Sequence, residues 1–336
     1  MSPGMTRRRF VHISAATAAL ALLPPGANAA VAEPILTVWR GTALGALASI
    51  ELYHPDRGAA ARLIERSVRE LERLERVFSL YREDSALVRL NRDGFLDEPP
   101  ADLVRLLSAS LIYSRLTGGA FDPTVQPLWD LYARHFSVPN ADPAGPAEAA
   151  LRETVLRVGC TKMTVDPACV ALAPGMGVTL NGIAQGYITD CVTGLLRSEG
   201  IERTLVDLGE IRTLGRHPDG RSWTVGLEDP DRRGRAARTI EVENQAVATS
   251  GGYGFRFDPA GRFTHLFDPK TGTSPHVYSS VSVALPTATA ADALSTAFSL
   301  MPVEAIDAVL ARLGEGTAYL TRPDGTTTIR RTPTRS

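Results

Sequence analysis

"VSVALPTATAADALSTAFSLMPVEAIDAVLARLG", residues 281–314, is the stretch that decides the fold class. Val281 to Leu285 reads as a strand, and Ala290 to Leu300 and Val303 to Leu313 read as two helices in succession. One strand followed by two helices breaks the alternation that a doubly wound parallel sheet requires. The pattern therefore predicts an α+β fold of mixed sheets with packed helices. One residue is out of place: Asp292 lies among alanines and leucines, where a helix should bury an apolar face.

The rest of the chain keeps the same irregular order. Gly182 to Arg197 reads as a helix, and Thr204 to Val206, Trp223 to Leu227, Thr239 to Val242 and Phe263 to Phe267 read as strands. A last hairpin turns at Pro323-Asp324-Gly325. In the first half, "ILTVWRGTALGALASIELYH" (35–54) alternates as two short strands around Gly41 and Gly45. Ile64, Val68, Leu71, Leu74 and Phe78 recur at three- and four-residue steps, which predicts an amphipathic helix over Arg57 to Phe78. A second helix, Ala101 to Leu116, is closed by Gly118-Gly119. The proline- and alanine-rich segment 138–146 reads as a surface loop, and marks an approximate break between two subdomains of one compact unit.

The chain has 336 residues, 44% of them hydrophobic, enough for a sizeable core. Thirty-six basic and 37 acidic side chains leave a net charge of −1, so neither a nucleic-acid surface nor a polybasic membrane patch is expected. Arg7-Arg8-Arg9-Phe10 precedes an apolar run ending near Leu23 and then Ala27-Asn28-Ala29. That order marks residues 1–29 as an export signal, and paired arginines before a phenylalanine point to the twin-arginine route and a periplasmic destination. The domain proper is then 30–336. The apolar run is shorter than the roughly 20 residues that a spanning helix needs. Cys160 and Cys169 flank "TKMTVDPA", where a cross-hairpin bridge would suit an oxidising compartment, although free or structural cysteines fit better. With Cys191 they match neither a zinc nor a redox spacing.

Four stretches could carry chemistry. Asp292 and Thr296 are four residues apart, on one face of a helix. Two readings stay open: Asp292 caps the helix start, or it joins the Thr296 hydroxyl and backbone carbonyls around a hard cation such as magnesium. In "HLFDPKTGTSP" (265–275), His265 stands before an Asp-Pro turn, placed to act as acid or base near neutral pH or to serve structure alone. "GGAFDPTVQPLW" (118–129) and "TLNGIAQGYITD" (179–190) put glycines near helix starts, where free N–H groups favour phosphate. Neither has P-loop or Rossmann spacing.

Taken in order, "FSLYREDSALVRLN" (78–91), "GGAFDPTVQPLW", "GIAQGYITD", "LVDLGEIRTLG" (205–215), "GLEDP" (226–230), "ATSGGY" (248–253), "HLFDPKTG" and "ADALSTAF" resemble the ApbE family of FAD:protein FMN transferases, from about Gly41 to Gly314. "ALGALASIEL", "LNGIAQGYITD" and "LVDLGEIR" look most like the NosX-type branch associated with nitrous oxide respiration. The resemblance implies a T-fold-like catalytic unit that binds FAD with Mg2+. Such an enzyme splits the pyrophosphate, joins FMN through a phosphoester to a Thr or Ser of a target flavoprotein, and releases AMP. It implies Asp292 and Thr296 as metal ligands with the carbonyls of Gly182 and Ser295, and His265 as catalytic base with Asp292 as the competing assignment. Tyr81 would lie beside the flavin, Ala120, Phe121 and Asp122 would form the nucleotide loop, and Leu44 stands where many members have methionine. Thr179, Gln185 and Phe267 complete the cofactor-binding set; Thr179 replaces a frequent aspartate and Gln185 a frequent lysine or glutamate. The implied partner is an exported electron-transfer protein, such as a NosR-like membrane protein, with peripheral membrane association. A FAD pyrophosphatase yielding FMN and AMP, or a non-catalytic FAD-binding accessory protein, would use the same residues.

Overall fold

The computed structural model describes residues 33–230 and 235–332; the export signal expected over 1–29 lies outside the described residues. The two strands expected around Gly41 and Gly45 are β1 (Ile35–Ala43) and β2 (Ala46–His54), nine residues each, which form one hairpin with Gly41 inside β1. Its two-residue turn puts both Leu44 (φ 45°) and Gly45 (φ 89°) in the left-handed region that tight hairpins require. Helix α1 (Arg57–Phe78) starts at Asp56, whose carboxylate accepts from the N–H groups of Gly58 and Ala59 at 2.7 and 3.1 Å.

Then come α2 (Ala86–Asp93), β3 (Phe95–Asp97), α3 (Ala101–Leu116), α4 (Gln126–Phe136), α5 (Glu148–Val155), β4 (Thr164–Val165) and β5 (Cys169–Ala171). The second half runs α6 (Ala184–Ser198), β6 (Thr204–Asp207), β7 (Ile211–Leu214), β8 (Trp223–Glu228), β9 (Ala236–Val242), β10 (Ala246–Ser250), β11 (Ser280–Leu285), α7 (Ala288–Phe298), α8 (Val303–Leu313), β12 (Thr317–Thr321) and β13 (Thr327–Arg331).

The main sheet has eight strands in the order β1-β2-β6-β7-β10-β11-β12-β13, every neighbouring pair antiparallel. β3, β5 and β4 form a small sheet, and β8 and β9 a separate ribbon. Helices α1, α6 and α7 cover one face of the main sheet, and the β8–β9 ribbon covers part of the other. This two-sided cover explains why β11 is buried at all six positions. Val281, Val283 and Leu285 face the helices while Ala284 faces the ribbon cluster of Trp223, Val225 and Val247. Each buried valine or leucine contributes about 1.5–3 kcal/mol of transfer free energy, so the centre of the sheet is its most stable part.

Phe263–Phe267 is not a strand. Thr264 makes a single bridge to Arg256, and the Thr264 hydroxyl pairs with that of Ser274 at 2.8 Å. Phe263 and Phe267 alternate because both pack against Tyr132, at ring distances of 5.4 and 5.1 Å, not because they belong to a ladder. Cys160, Cys169 and Cys191 are free; Cys160 sits in a 3-10 turn before β4 rather than across a hairpin from Cys169. Segment 138–146 crosses the surface between α4 and α5. Core residues from both sides of it, such as Leu107 and Val192, share one cluster.

Candidate active site

A cleft of about 620 Å³ opens where the ends of β7, β8 and β10 meet the starts of α4 and α6 and one face of α7. The structure brings to it Leu44, Tyr81, Ala120, Phe121, Asp122, Thr179, Gly182, Gln185, His265, Phe267, Asp292 and Thr296. Ser295 is the exception. It is fully buried behind the wall, where its hydroxyl donates to the Asp292 carbonyl (2.9 Å) and pairs with Ser250 (2.7 Å). Its own carbonyl accepts from Ser299 N and Oγ.

The structure excludes the capping reading of Asp292. Helix α7 begins at Ala288, with Thr287 as its N-cap and no acidic residue in the first turn. Asp292 is therefore in the second turn, too far along to cap. It is 3% exposed, accepts a hydrogen bond from Gly186 N at 3.0 Å, and has no ion-pair partner among the described residues. Gly182 packs so closely on Thr296 that a Cβ there would stand 2.8 Å from its hydroxyl. Asp292, Thr296 and Gly182 thus share one corner of the cleft.

The electrostatics of that corner are unusual. Asp122, Asp207, Glu210, Glu228 and Asp292 line the cleft, and no lysine or arginine does among the described residues. Burial raises the pKa of Asp292, opposed by the Gly186 N–H. Burial also pushes Glu210 well above the usual carboxylate range, reinforced by the charge of Asp292. Asp207 is raised by burial too, less the effect of the Gly209 N–H. Asp122 is committed to structure: it accepts from Thr124 N, Thr124 Oγ1 and Cys160 N, fixing the loop that presents Ala120 and Phe121.

The remaining groups divide by exposure. Tyr81 is 78% exposed at the mouth, so it is no core residue. Phe121 and Phe267 are buried in the wall. His265 is half-buried, with Nδ1 held 3.3 Å from the Phe255 carbonyl. That contact places the ring proton on Nδ1 and leaves Nε2 as the acceptor. Burial lowers the imidazole below its usual 6.5, so the ring stays neutral to lower pH. Thr179 is tied by its N–H to the Pro123 carbonyl (2.7 Å), and the Gln185 amide lies against Gly209.

Sequence reasoning left Asp207 and Glu210 without a role and did not single out Asn181, Ser250 or Tyr253, all of which line the cleft. The available signal was Gly209 (φ 103°) in the short β6–β7 turn, which presents Glu210 toward the site.

Residues 44–321 match the ApbE family profile. The chain belongs to the ApbE family. ApbE-family relatives similar to it include the "FAD:protein FMN transferase" of Treponema pallidum, 34% identical over 274 residues (76% of this chain, 75% of that protein). That of Salmonella typhimurium is 28% identical over 298 residues (84% and 83%). Among solved ApbE structures, the Pseudomonas stutzeri flavinyl transferase in its apo form superposes with TM-score 0.74 at 26% identity, covering 89% of this chain and 96% of that one. The Vibrio cholerae flavin transferase gives 0.74 at 27%, covering 89% and 97%. The α+β fold is therefore that of the ApbE family.

Proposed function

We propose that the chain is a Mg2+-dependent FAD:protein FMN transferase, which cleaves FAD and esterifies FMN to a Thr or Ser of a target flavoprotein with release of AMP. The observation that carries it is the cleft wall: five carboxylates, no lysine or arginine among the described residues, and a buried Asp292 beside the Thr296 hydroxyl and Gly182. An anionic pyrophosphate fits such a wall only with a cation between.

The donor set suits magnesium. Among the described residues no trio of His, Cys, Asp or Glu gathers to hold a metal, so protein oxygens would supply a minority of the ligands. Magnesium tolerates this, keeping waters and substrate phosphates in its octahedron. Asp292 and Thr296, with the Gly182 carbonyl, would hold it. Bound there, it would polarise the phosphorus and offset charge on departing AMP.

The chain's own residues do the rest. Tyr81 offers an aromatic face at the mouth, and the 120–122 loop, fixed by Asp122 and by Phe121 N donating to Thr117 Oγ1 (3.1 Å), positions the nucleotide. Neutral His265 accepts the acceptor hydroxyl's proton at Nε2. That oxygen bonds to the FMN phosphorus as the bond to the AMP phosphate oxygen breaks.

The same proposal extends to location and partner. The leader's twin arginines favour export, which puts the acceptor in the periplasm or on its membrane face, for example a NosR-like protein serving nitrous oxide respiration. Among the described residues no helix is long and apolar enough to cross a membrane, so any membrane association would be peripheral or through segments outside them.

The test mixes purified protein, FAD, Mg2+ and a candidate acceptor domain, then reads flavin fluorescence on the denatured domain while following AMP. Labelled domain with stoichiometric AMP supports the transferase. AMP without label replaces it with a FAD pyrophosphatase, and tight FAD binding with neither product replaces it with an accessory protein.

A further inference from the structure

The ITD end of "GIAQGYITD" has no role in the chemistry above, yet Asp190 links three elements of the fold. From α6 it reaches across to the start of α7. Its Oδ1 accepts from Ala288 N (2.9 Å), and its Oδ2 accepts from Thr289 N (2.9 Å) and Thr289 Oγ1 (2.6 Å). It also pairs with Arg212 of β7. With Ala290 N donating to Thr287 Oγ1 and Ala291 N to the Thr287 carbonyl, all four N–H groups of the first turn of α7 are satisfied, two of them by Asp190. One turn earlier on the same face of α6, Gly186 meets Asp292.

We infer that Asp190 is a positioning residue for the metal-and-phosphate corner, clamping α6, α7 and β7 in the one register that presents Asp292, Thr296 and Glu210 to the cleft. This rests on the reading of that corner given above. A cap borrowed from another helix fixes α7 in translation and rotation, where Thr287 alone would fix only its local start. Asp190 stands one turn from Gly186 and hydrogen-bonds neither to Asp292 nor to a residue lining the cleft. Its hydrogen bonds act through the helix backbone, and its charge also acts on Asp292 through space, a contribution that Thr289→Val leaves in place. Arg212 has a buried Nε without a hydrogen-bond partner, so loss of the Asp190 charge would leave a guanidinium poorly compensated inside the protein.

The experiment measures Mn2+ binding by electron paramagnetic resonance, with FAD present and no acceptor, beside the Mg2+ dependence of AMP release. For Asp190→Asn the expected result is Mn2+ affinity weakened by about 10- to 100-fold, the usual effect of losing a residue that orients a metal ligand. The Mg2+ for half-maximal rate rises in parallel, and the rate at saturating Mg2+ is largely recovered. Thr289→Val removes one contact, keeps both main-chain bonds, and should shift both readings in the same direction by less; it carries the test if Asp190→Asn does not fold. Unchanged Mn2+ affinity with only a lower unfolding temperature overturns the inference. Asp292→Ala is the control. If it binds Mn2+ like the wild type, the reading of the corner falls and this inference with it. If it loses Mn2+ while both clamp variants keep it, only the inference falls.

Discussion

Asp292 is held in its helix at a cost to folding. Its carboxylate is buried with one neutral hydrogen bond, and burial raises its pKa. A raised folded value means stability that is full below the unfolded value of 3.8 and is lost as pH rises through the folded one. Metal-free protein should therefore lose stability as pH rises from 3.8 to about 7. Asp292→Asn should lose less over the same range while its Mg2+-dependent AMP release falls by about 10²-fold or more. Thermal unfolding in chelator at several pH values, beside AMP assays, checks both halves. His265 carries the opposite sign. Its pKa is lowered, so the folded state binds fewer protons than the unfolded one below 6.5, and the neutral base persists to more acidic pH. The acid limb of the rate should then break below pH 6.5. His265→Ala should cost about 10² to 10⁴ in rate, leave FAD binding intact in equilibrium fluorescence, and lose that limb.

At the scale of elements, the α6–α7 pair decides the site. A Cβ on Gly186 would stand 2.2 Å from the Ala288 carbonyl oxygen and 2.9 Å from Asp292 Cβ, so the two helices approach only because that residue has no side chain. Gly186→Ala should destabilise by about 1–3 kcal/mol through overpacking and reduce activity with it. Gly194→Ala, in the same helix with nothing within 4 Å of the new Cβ, should be neutral or stabilise by about 0.5–1 kcal/mol. Urea denaturation of the pair separates packing from propensity. α1, α3 and α8 run over the predicted residues because their signals are local, in apolar spacing and glycine stops. α7 starts two residues before its predicted start at Ala290, with Thr287 as N-cap and Asp190, 98 positions away, accepting from Ala288 N. No local pattern contains that contact.

For the molecule as a whole, one cluster runs through both halves of the chain, and the cysteines are unpaired. The expected behaviour is a single cooperative unfolding transition, unchanged by reductant, read by calorimetry with and without dithiothreitol; two transitions would show that 138–146 divides independent units. The sequence by itself determined the α+β class, most helix spans, the strands β1, β2, β6, β8, β9 and β11 and the residue types of the site, but not β7 and β10 at the centre of the main sheet. Those follow from periodicity, turn chemistry and an aspartate where an apolar residue belongs. Only the tertiary structure decided that Asp292 is no cap, that Ser295 lies behind the wall, that Phe263–Phe267 is held by ring packing rather than a ladder, and that Glu210 shares the corner with Asp292. Each depends on groups distant in sequence meeting at one point, and on how far burial there removes them from water.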